Sequence, residues 1–347
     1  MKKILLTLLQ IAVTCGLLFW VFHDPNKRAE MLAALRLADY RWLLAGVFCY
    51  LVVEISAAVR WHILMKVQKI NLGFGRVFSL FMIGMFYNQF LPGGTGGDIV
   101  KIYLLLKETP DKKAGALLAV LFDRLIGLVA LISITGILIG LRYSWLTQTP
   151  ETRPYVWTLL IVLGSAVLAL VTSFVVSGFN LLHRLPKHFP GREKLIEFSA
   201  AYQLYAHHWI GTLLGFGASL VAHLGTFATF LCVAYAYNAR VPIVDFFAVM
   251  PIERTISSLP ISFGGLGMRE LVLQVMLNGL CGVPVAVARL IGLTSFSIII
   301  FCSMPGGLVY FFYKPSGSTG HVKLREMQRE VATAEHAISD ENSSGET

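Results

Sequence analysis

Long apolar segments dominate this chain and constrain its fold more than any other feature. Most of them approach or exceed the roughly 20 residues that a helix needs to cross a hydrocarbon core of about 30 Å. Lipid offers no partners to backbone polar groups, so each segment is expected to satisfy them internally as a helix. The sequence therefore predicts an all-α polytopic membrane protein, with apolar segments at residues 4–22, 42–65, 77–91, 114–141, 155–178, 208–237, 243–259, 264–280 and 285–313.

Composition supports this class and excludes others. Of the 347 residues, 56% are hydrophobic and only 14% are charged, which excludes an ordinary soluble protein. The net charge of +9 lies in short stretches between apolar segments, so it indicates membrane orientation and not a nucleic-acid partner. The five cysteines form neither a CxxC site nor a disulfide framework, and we expect no metal and no cofactor.

The two ends of the chain differ in character. After Met1-Lys2-Lys3 the apolar run is longer than that of a signal peptide, and no small-residue cleavage site follows, so we expect a retained first helix. Residues 1–313 are predicted to form the membrane domain. Residues 314–347 are polar and are predicted to be a cytoplasmic, largely disordered tail.

One motif occurs twice: Leu-Pro, three residues, Gly-Gly, three residues and a cation. It reads LPGGTGGDIVK at residues 91–101 and LPISFGGLGMR at residues 259–269. Proline and glycine break helices, and a broken helix is tolerated in a bilayer only where it lines a cavity or packs inside protein. At about 1.5 Å per residue, the stretch 97–106 spans roughly 15 Å, half of the hydrocarbon core. We therefore predict two re-entrant helical hairpins, at residues 77–106 and 243–280.

Together, the hairpins and the other helices predict an internal symmetry. Half one (1–141) and half two (155–313) each have the order helix, helix, hairpin, helix. Three crossings per half is an odd number, so we predict an inverted repeat whose hairpin tips meet near the bilayer midplane. With the N-terminus in the cytoplasm, sixteen Lys and Arg residues fall in inner loops and seven in outer loops, which is the positive-inside pattern. A chance match between two loops is the alternative explanation of the motif.

The predicted hairpin tips have the chemistry of an anion site. Half-helices that begin after Gly97 and Gly265 leave free N–H groups and a partial positive charge. Lys101 and Arg269 lie about one turn further on, and together these groups suit an anion, above all a phosphate. Two alternatives remain: Asp98 caps its half-helix, and the two cations form structural ion pairs.

Further charges lie within the apolar segments. A charge at the bilayer centre costs about 2.5–3.5 kcal/mol, so such residues are expected to face protein or a cavity. Neighbouring residues on a helix point apart, so pairing is expected between elements, although such pairs alternatively serve only to join helices. The expected pairs combine Asp123 or Glu253 with Arg254 or Arg269. The predicted substrate site, which contains no catalytic residue, is Asn88, Pro92, Gly93, Gly94, Gly96, Gly97, Asp98, Lys101, Asp123, Arg124, Glu253, Arg254, Pro260, Gly264, Gly265, Arg269 and Glu270.

Two polar residues elsewhere in the apolar segments are assigned packing roles. Arg60 is expected near the cytoplasmic end of its helix, where its side chain snorkels or packs. His223 lies in mid-helix, where a hydrogen-bonded packing role is favoured over a proton relay.

Three strings of the chain, FYNQFLPGGTGGDIVK, LFDRLIGL and ERTISSLPISFGGLGMRE, resemble the signatures of the lysylphosphatidylglycerol synthase transmembrane family of flippase-like integral membrane proteins. The chain departs from the family at two places. Asp123-Arg124 replaces a frequent Glu-Arg, and Phe263 replaces a frequent proline. The motif positions that match are Pro92, Gly93, Gly94, Gly96, Gly97, Asp98 and Lys101 in the first copy, and Pro260, Gly264, Gly265, Gly267, Arg269 and Glu270 in the second.

The resemblance implies a role in lipid metabolism. Members form the membrane part of the bacterial multiple peptide resistance factor, which is linked to moving aminoacylated phosphatidylglycerol between leaflets; stand-alone relatives are tied to lipid or lipid-linked sugar metabolism. The longest polar parts, 179–207 and 314–347, are too short for the soluble aminoacyl-transfer domain. We therefore expect a stand-alone member that is not an enzyme, in the bacterial inner membrane with both termini in the cytoplasm.

Three functions remain as hypotheses. The first is a translocator of an anionic phospholipid or a polyprenyl-phosphate-linked lipid, without direct use of ATP because no GxxxxGK[ST] motif occurs. The second is a glycosyltransferase that uses polyprenyl-phosphate sugars, although the sequence has no Asp-x-Asp or Glu-x-Asp pair. The third is a non-transporting accessory subunit. Expected partners are membrane lipids with anionic head groups; further candidates are a second copy of the chain and lipid-synthesis enzymes.

Overall fold

The computed structural model describes residues 2–90, 96–178, 203–258 and 262–313, together with positions 196, 200, 327, 331 and 333. Every regular element in these ranges is helical, and the prediction of an all-α protein is confirmed. Four predicted site residues lie outside the described residues: Pro92, Gly93, Gly94 and Pro260. Most of the predicted tail also lies outside them, but Met327 and Val331 are buried beside the helices of the first motif.

Twelve α-helices follow one another along the described parts of the chain. They are α1 (Lys2–Phe22), α2 (Pro25–Arg36), α3 (Tyr40–Val67), α4 (Phe74–Phe90), α5 (Gly96–Glu108), α6 (Lys113–Leu146), α7 (Arg153–Gly178), α8 (Trp209–Ala236), α9 (Ile243–Ser258), α10 (Met268–Leu273), α11 (Gly279–Cys281) and α12 (Val285–Phe312). A π-helical turn, Gln274–Asn278, joins α10 to α11. The apolar segments thus became helices at nearly the predicted positions.

Helix α2 is an element that the apolar pattern did not indicate. It begins at Pro25, directly after Asp24, whose carboxylate accepts a hydrogen bond from the Asn26 N–H at 2.9 Å. An Asp N-cap followed by proline at the first helical position is a strong local start signal. The helix therefore arises from capping chemistry and not from hydrophobicity.

Five of the described helices are long and apolar enough to cross a membrane. They are α3, α6, α7, α8 and α12, so the prediction of a multi-pass membrane protein is confirmed. Helices α4 and α5 have 17 and 13 residues, respectively. At the usual helical rise they measure about 25 and 20 Å, shorter than a hydrocarbon core of about 30 Å.

The centre of the fold is the long contact between α3 and α8. Small residues bring these helices together: a Cβ at Gly46 would lie 3.5 Å from the Thr229 carbonyl oxygen, and one at Gly225 would lie 2.8 Å from Val53. The Thr229 hydroxyl also lies 3.4 Å from the Gly46 carbonyl oxygen, to which it donates. Small residues and interhelical hydrogen bonds are the usual means of packing helices in membranes, where no hydrophobic force distinguishes protein from lipid.

Helix α4 packs between α5 and α12 with very close backbone approach on both sides. On one side, a Cβ at Gly97 would lie 2.0 Å from the Gly84 carbonyl oxygen. On the other side, a Cβ at Gly306 would lie 2.0 Å from the Met82 carbonyl oxygen. The pair α4 and α5 is therefore packed closely against the last helix.

We expect Arg289 to anchor the end of α1. Its guanidinium donates to the Val21 carbonyl oxygen at 2.7 Å and to the Gln274 side-chain oxygen at 2.8 Å, and it stacks over the Trp20 ring. Because hydrogen bonds from a charged group contribute about 1.5–3 kcal/mol, Arg289→Met is expected to lower the free energy of unfolding by about that amount. Thermal unfolding of the detergent-purified protein measures the loss. Arg240→Met, at an exposed position, is the control, and an equal effect of both changes would contradict the anchor.

Candidate functional site

A polar cavity of about 550 Å³ lies at the meeting point of the helices that carry both motifs. The cations that end the two motifs, Lys101 and Arg269, both line it. Six other predicted site residues line it as well: Asn88, Asp123, Arg124, Arg254, Gly264 and Gly265. The other described members of the predicted set, Gly96, Gly97, Asp98, Glu253 and Glu270, are not among the residues that line it.

Asp123 pairs with Arg60 and not with either of the expected partners, Arg254 and Arg269. The Arg60 guanidinium donates to the two carboxylate oxygens of Asp123 at 2.6 and 3.0 Å, and to the Ser219 hydroxyl at 3.2 Å. These contacts join α3 to α6 and α8, so of the two roles expected for Arg60, snorkelling or packing, packing within the protein is the one observed. Gly127, one turn after Asp123, leaves the space for this approach: a Cβ there would lie 3.0 Å from the guanidinium.

A second ion pair joins Asp98 to Arg124. Both carboxylate oxygens accept hydrogen bonds from the guanidinium at 2.8 Å, which ties α5 to α6. Asp98 therefore does not act as the cap of its helix. That role belongs to Asn88, whose side-chain oxygen accepts the hydrogen bond of the Gly97 N–H at 3.0 Å. One of the four free N–H groups at the start of α5 is thus used within the protein.

The third ion pair, between Glu253 and Arg269, is one of the four combinations that the sequence offered. It joins α9 to α10 with a distance of 3.3 Å between the Arg269 Nε and the carboxylate. Arg269 also donates to the Gly264 carbonyl oxygen at 3.1 Å and lies over the Phe296 ring. For Arg269, the alternative of a structural ion pair is therefore correct, although the residue still faces the cavity.

Glycines shape the turn before α10. Gly264, Gly265 and Gly267 have φ values of 60°, 76° and 81°. These values lie in the left-handed region, which glycine enters at no steric cost. The Glu270 carboxylate accepts the Gly267 N–H at 2.6 Å, so this acid holds the turn and does not reach the cavity.

Lys101 is buried without an acidic partner. Its side chain is 3% exposed, and its ammonium nitrogen lies 4.5 Å from the centre of the Phe81 ring and 5.1 Å from that of Trp61. Among the described residues, no carboxylate forms an ion pair with it. Gly84 provides the groove for the lysine stem, since a Cβ there would lie 2.5 Å from the Lys101 Cγ. The ring faces favour a cation here, but they do not supply the counter-charge of a carboxylate in direct contact.

Arg254 is the second cation of the cavity that lacks a carboxylate partner within the described ranges. It follows Glu253 directly, but that acid is used by Arg269 on the other side of α9. Charged groups taken out of water need a counter-charge. The cavity therefore has three internally paired arginines and two cations, Lys101 and Arg254, whose charge is available to a bound anion.

The predicted set missed two charged residues of the cavity, Arg60 and Glu54. The rule that a charge within a membrane helix marks a site would have included both of them. His223, by contrast, has the packing role that the sequence predicted, because its Nε2–H donates to the Gly127 carbonyl oxygen at 3.0 Å.

Comparison with known protein families supports the membrane assignment. The family described as lysylphosphatidylglycerol synthase TM region matches residues 7–306. Nothing matches among the curated proteins or the solved structures that were compared. The match covers the described spanning helices α3, α6, α7 and α8 in full, together with both motifs and most of α12. The chain therefore belongs to the lysylphosphatidylglycerol synthase transmembrane family.

Proposed function

We propose that the protein moves an anionic lipid between the leaflets of a bacterial inner membrane. The observation that carries the proposal is that two cations on the wall of one polar cavity, Lys101 and Arg254, have no ion-pair partner among the described residues. A phosphate group is the anion that membrane lipids offer, and it accepts charge-assisted hydrogen bonds from both side-chain types. The lipid is an anionic phospholipid or a polyprenyl-phosphate-linked lipid.

The proposal includes an inverted repeat with two re-entrant hairpins, and the helix contacts support it. In such a repeat, α3 corresponds to α8, α4 to α9, and α6 to α12. The corresponding helices α3 and α8 pack on each other, as helices next to a pseudo-two-fold axis do. Contacts also recur in pairs: α4 packs on α12 as α9 packs on α6, and α3 packs on α6 as α8 packs on α12.

The transport mechanism follows from where the two cations come from. Lys101 belongs to the first half and Arg254 to the second, so a head group between them is held by both halves. Rocking of one half against the other then exposes the head group to one side of the membrane at a time, while the acyl or prenyl chains remain in lipid. Both termini lie in the cytoplasm in this arrangement, in agreement with the distribution of cations along the chain.

Liposomes test the function directly. The purified protein is reconstituted with fluorescent phosphatidylglycerol, and the rate at which the lipid becomes accessible to an external quencher is measured. Lys101→Met and Arg254→Met are each expected to slow this rate by about 10- to 100-fold, because each removes charge-assisted hydrogen bonds that contribute about 1.5–3 kcal/mol. Arg240→Met, at an exposed position in a connecting segment, is the matched control and is expected to transport normally.

Two outcomes would contradict the translocator. One is transport no faster than in protein-free liposomes for both phosphatidylglycerol and a polyprenyl phosphate. The other is wild-type rates in both cation variants. The same liposomes are also tested for glycosyl transfer. A polyprenyl-phosphate sugar is added, and mass spectrometry is used to search for a glycosylated product. Such a product would favour the glycosyltransferase hypothesis instead.

A further inference from the structure

Glu54 is an unpaired acid on the wall of the same cavity. It lies in the middle of α3, is 2% exposed, and its Oε1 has no hydrogen-bond partner in the described parts of the chain. No Lys or Arg of those parts forms an ion pair with it. The other carboxylate that lines the cavity, Asp123, is held by Arg60 on both oxygens. Glu54 is thus a buried ionisable group that no contact within the described structure explains.

The titratable groups around Glu54 come from each of the surrounding helices. Those of α6 and α10 belong to the ion pairs already described, as does Arg60 of α3, and α4 presents only the uncharged Asn88 and Gln89. His223 of α8 donates its Nε2–H to a backbone carbonyl. The groups that remain are Tyr50, Cys302, Lys101 and Arg254. Glu54 is consequently the one described acid of the cavity wall that is available to balance the two free cations.

The charge balance of the cavity changes when an anion binds. Glu54 shares the wall of the cavity with Lys101 and Arg254, so an ionised Glu54 lowers the net positive charge of the empty cavity. An anionic head group neutralises these cations instead, and Glu54 is left as an uncompensated negative charge. Such a charge is costly in a buried environment, and a carboxylate escapes the cost by taking up a proton.

We propose that Glu54 takes up one proton from water when an anionic head group binds to Lys101 and Arg254. The proton forms an O–H bond on the carboxylate, and it is released when the head group leaves. Lipid and proton then move together, so that one negative and one positive charge cross the membrane as a neutral pair. This inference rests on the proposed function, because it requires the cavity to bind an anionic lipid.

Calorimetry on the purified full-length chain tests the proton uptake. The probe is dihexanoylphosphatidylglycerol, a water-soluble lipid whose phosphodiester does not titrate near neutral pH. Binding enthalpies in two buffers of different ionisation enthalpy give the number of protons exchanged. At a pH at which Glu54 is ionised in the empty cavity, the wild type is expected to take up about one proton per lipid, so its affinity falls as the pH rises through that range, by up to about tenfold per pH unit.

Variants of Glu54 separate this inference from the proposed function. Glu54→Gln is nearly isosteric and is expected to bind the probe without proton uptake and with an affinity that does not depend on pH. Glu54→Asp is expected to retain the proton uptake and the pH-dependent affinity. Binding by the wild type without proton uptake, or uptake that persists in Glu54→Gln, would overturn the inference and leave the function intact. If Glu54→Gln is unfolded, the proton count of the wild type decides alone. A wild type that does not bind the probe would overturn both.

Discussion

Asp123→Asn is expected to lower the free energy of unfolding by about 3–5 kcal/mol, the usual cost of removing one partner of a buried ion pair. The change leaves the guanidinium of Arg60 as an uncompensated charge between α3, α6 and α8. Unfolding of the detergent-purified protein, followed by circular dichroism during a titration with a denaturing detergent, measures the loss. Because three helices meet at this pair, we also expect the lipid transport rate to fall.

A matched variant tests whether burial causes this effect. The Asp98–Arg124 pair has the same bidentate geometry, but the Arg124 side chain is 52% exposed. Exposed pairs contribute about 0–1 kcal/mol, so Arg124→Met is expected to lower the free energy of unfolding by no more than that. In the double variant Arg60→Met/Asp123→Leu neither charge remains, and stability is expected to recover. If Asp123→Asn and Arg124→Met lower the free energy of unfolding equally, burial of the Asp123–Arg60 pair is not the cause of the loss.

Gly97→Ala is expected to cost about 1–3 kcal/mol and to abolish transport, because there is no space for a methyl group between α4 and α5. Its Cβ would lie 2.0 Å from the Gly84 carbonyl oxygen and 2.7 Å from the Asn88 side chain. The two helices have to separate, which breaks the hydrogen bond from the Gly97 N–H to Asn88 and displaces Lys101, one turn further along α5. Thermal unfolding and the liposome assay measure the two effects.

Gly136→Ala is the matched control. Gly136 lies in the long helix α6, and a Cβ there meets no atom within 4 Å. Alanine is the better helix former by about 0.8–1.0 kcal/mol, so this change is expected to leave stability unchanged or to raise it. A Gly97→Ala protein that unfolds and transports like the control would refute the close packing of α4 against α5.

The apolar helices were predictable because the length and composition of an apolar segment are enough to identify a membrane helix. Helix positions followed from the apolar segments to within a few residues, and the cost of charge in a membrane limited the expected ion pairs to four, of which Glu253–Arg269 is present. Two features were not predicted from the apolar pattern. Helix α2 depends on the Asp24 cap, and the partner of Asp123 depends on the space that Gly127 leaves beside α6. Both are local steric and hydrogen-bonding effects that hydropathy does not record.

By itself, the sequence determined that the chain is a helical membrane protein with two similar glycine-rich motifs, because the cost of exposing backbone and charge to lipid leaves few alternatives. It also indicated that charged residues gather at those motifs. Only the tertiary structure decided which charges neutralise one another. Ion pairing depends on distances of a few ångströms between helices far apart in sequence. In the tertiary structure, Lys101, Arg254 and Glu54 have no ion-pair partner among the described residues.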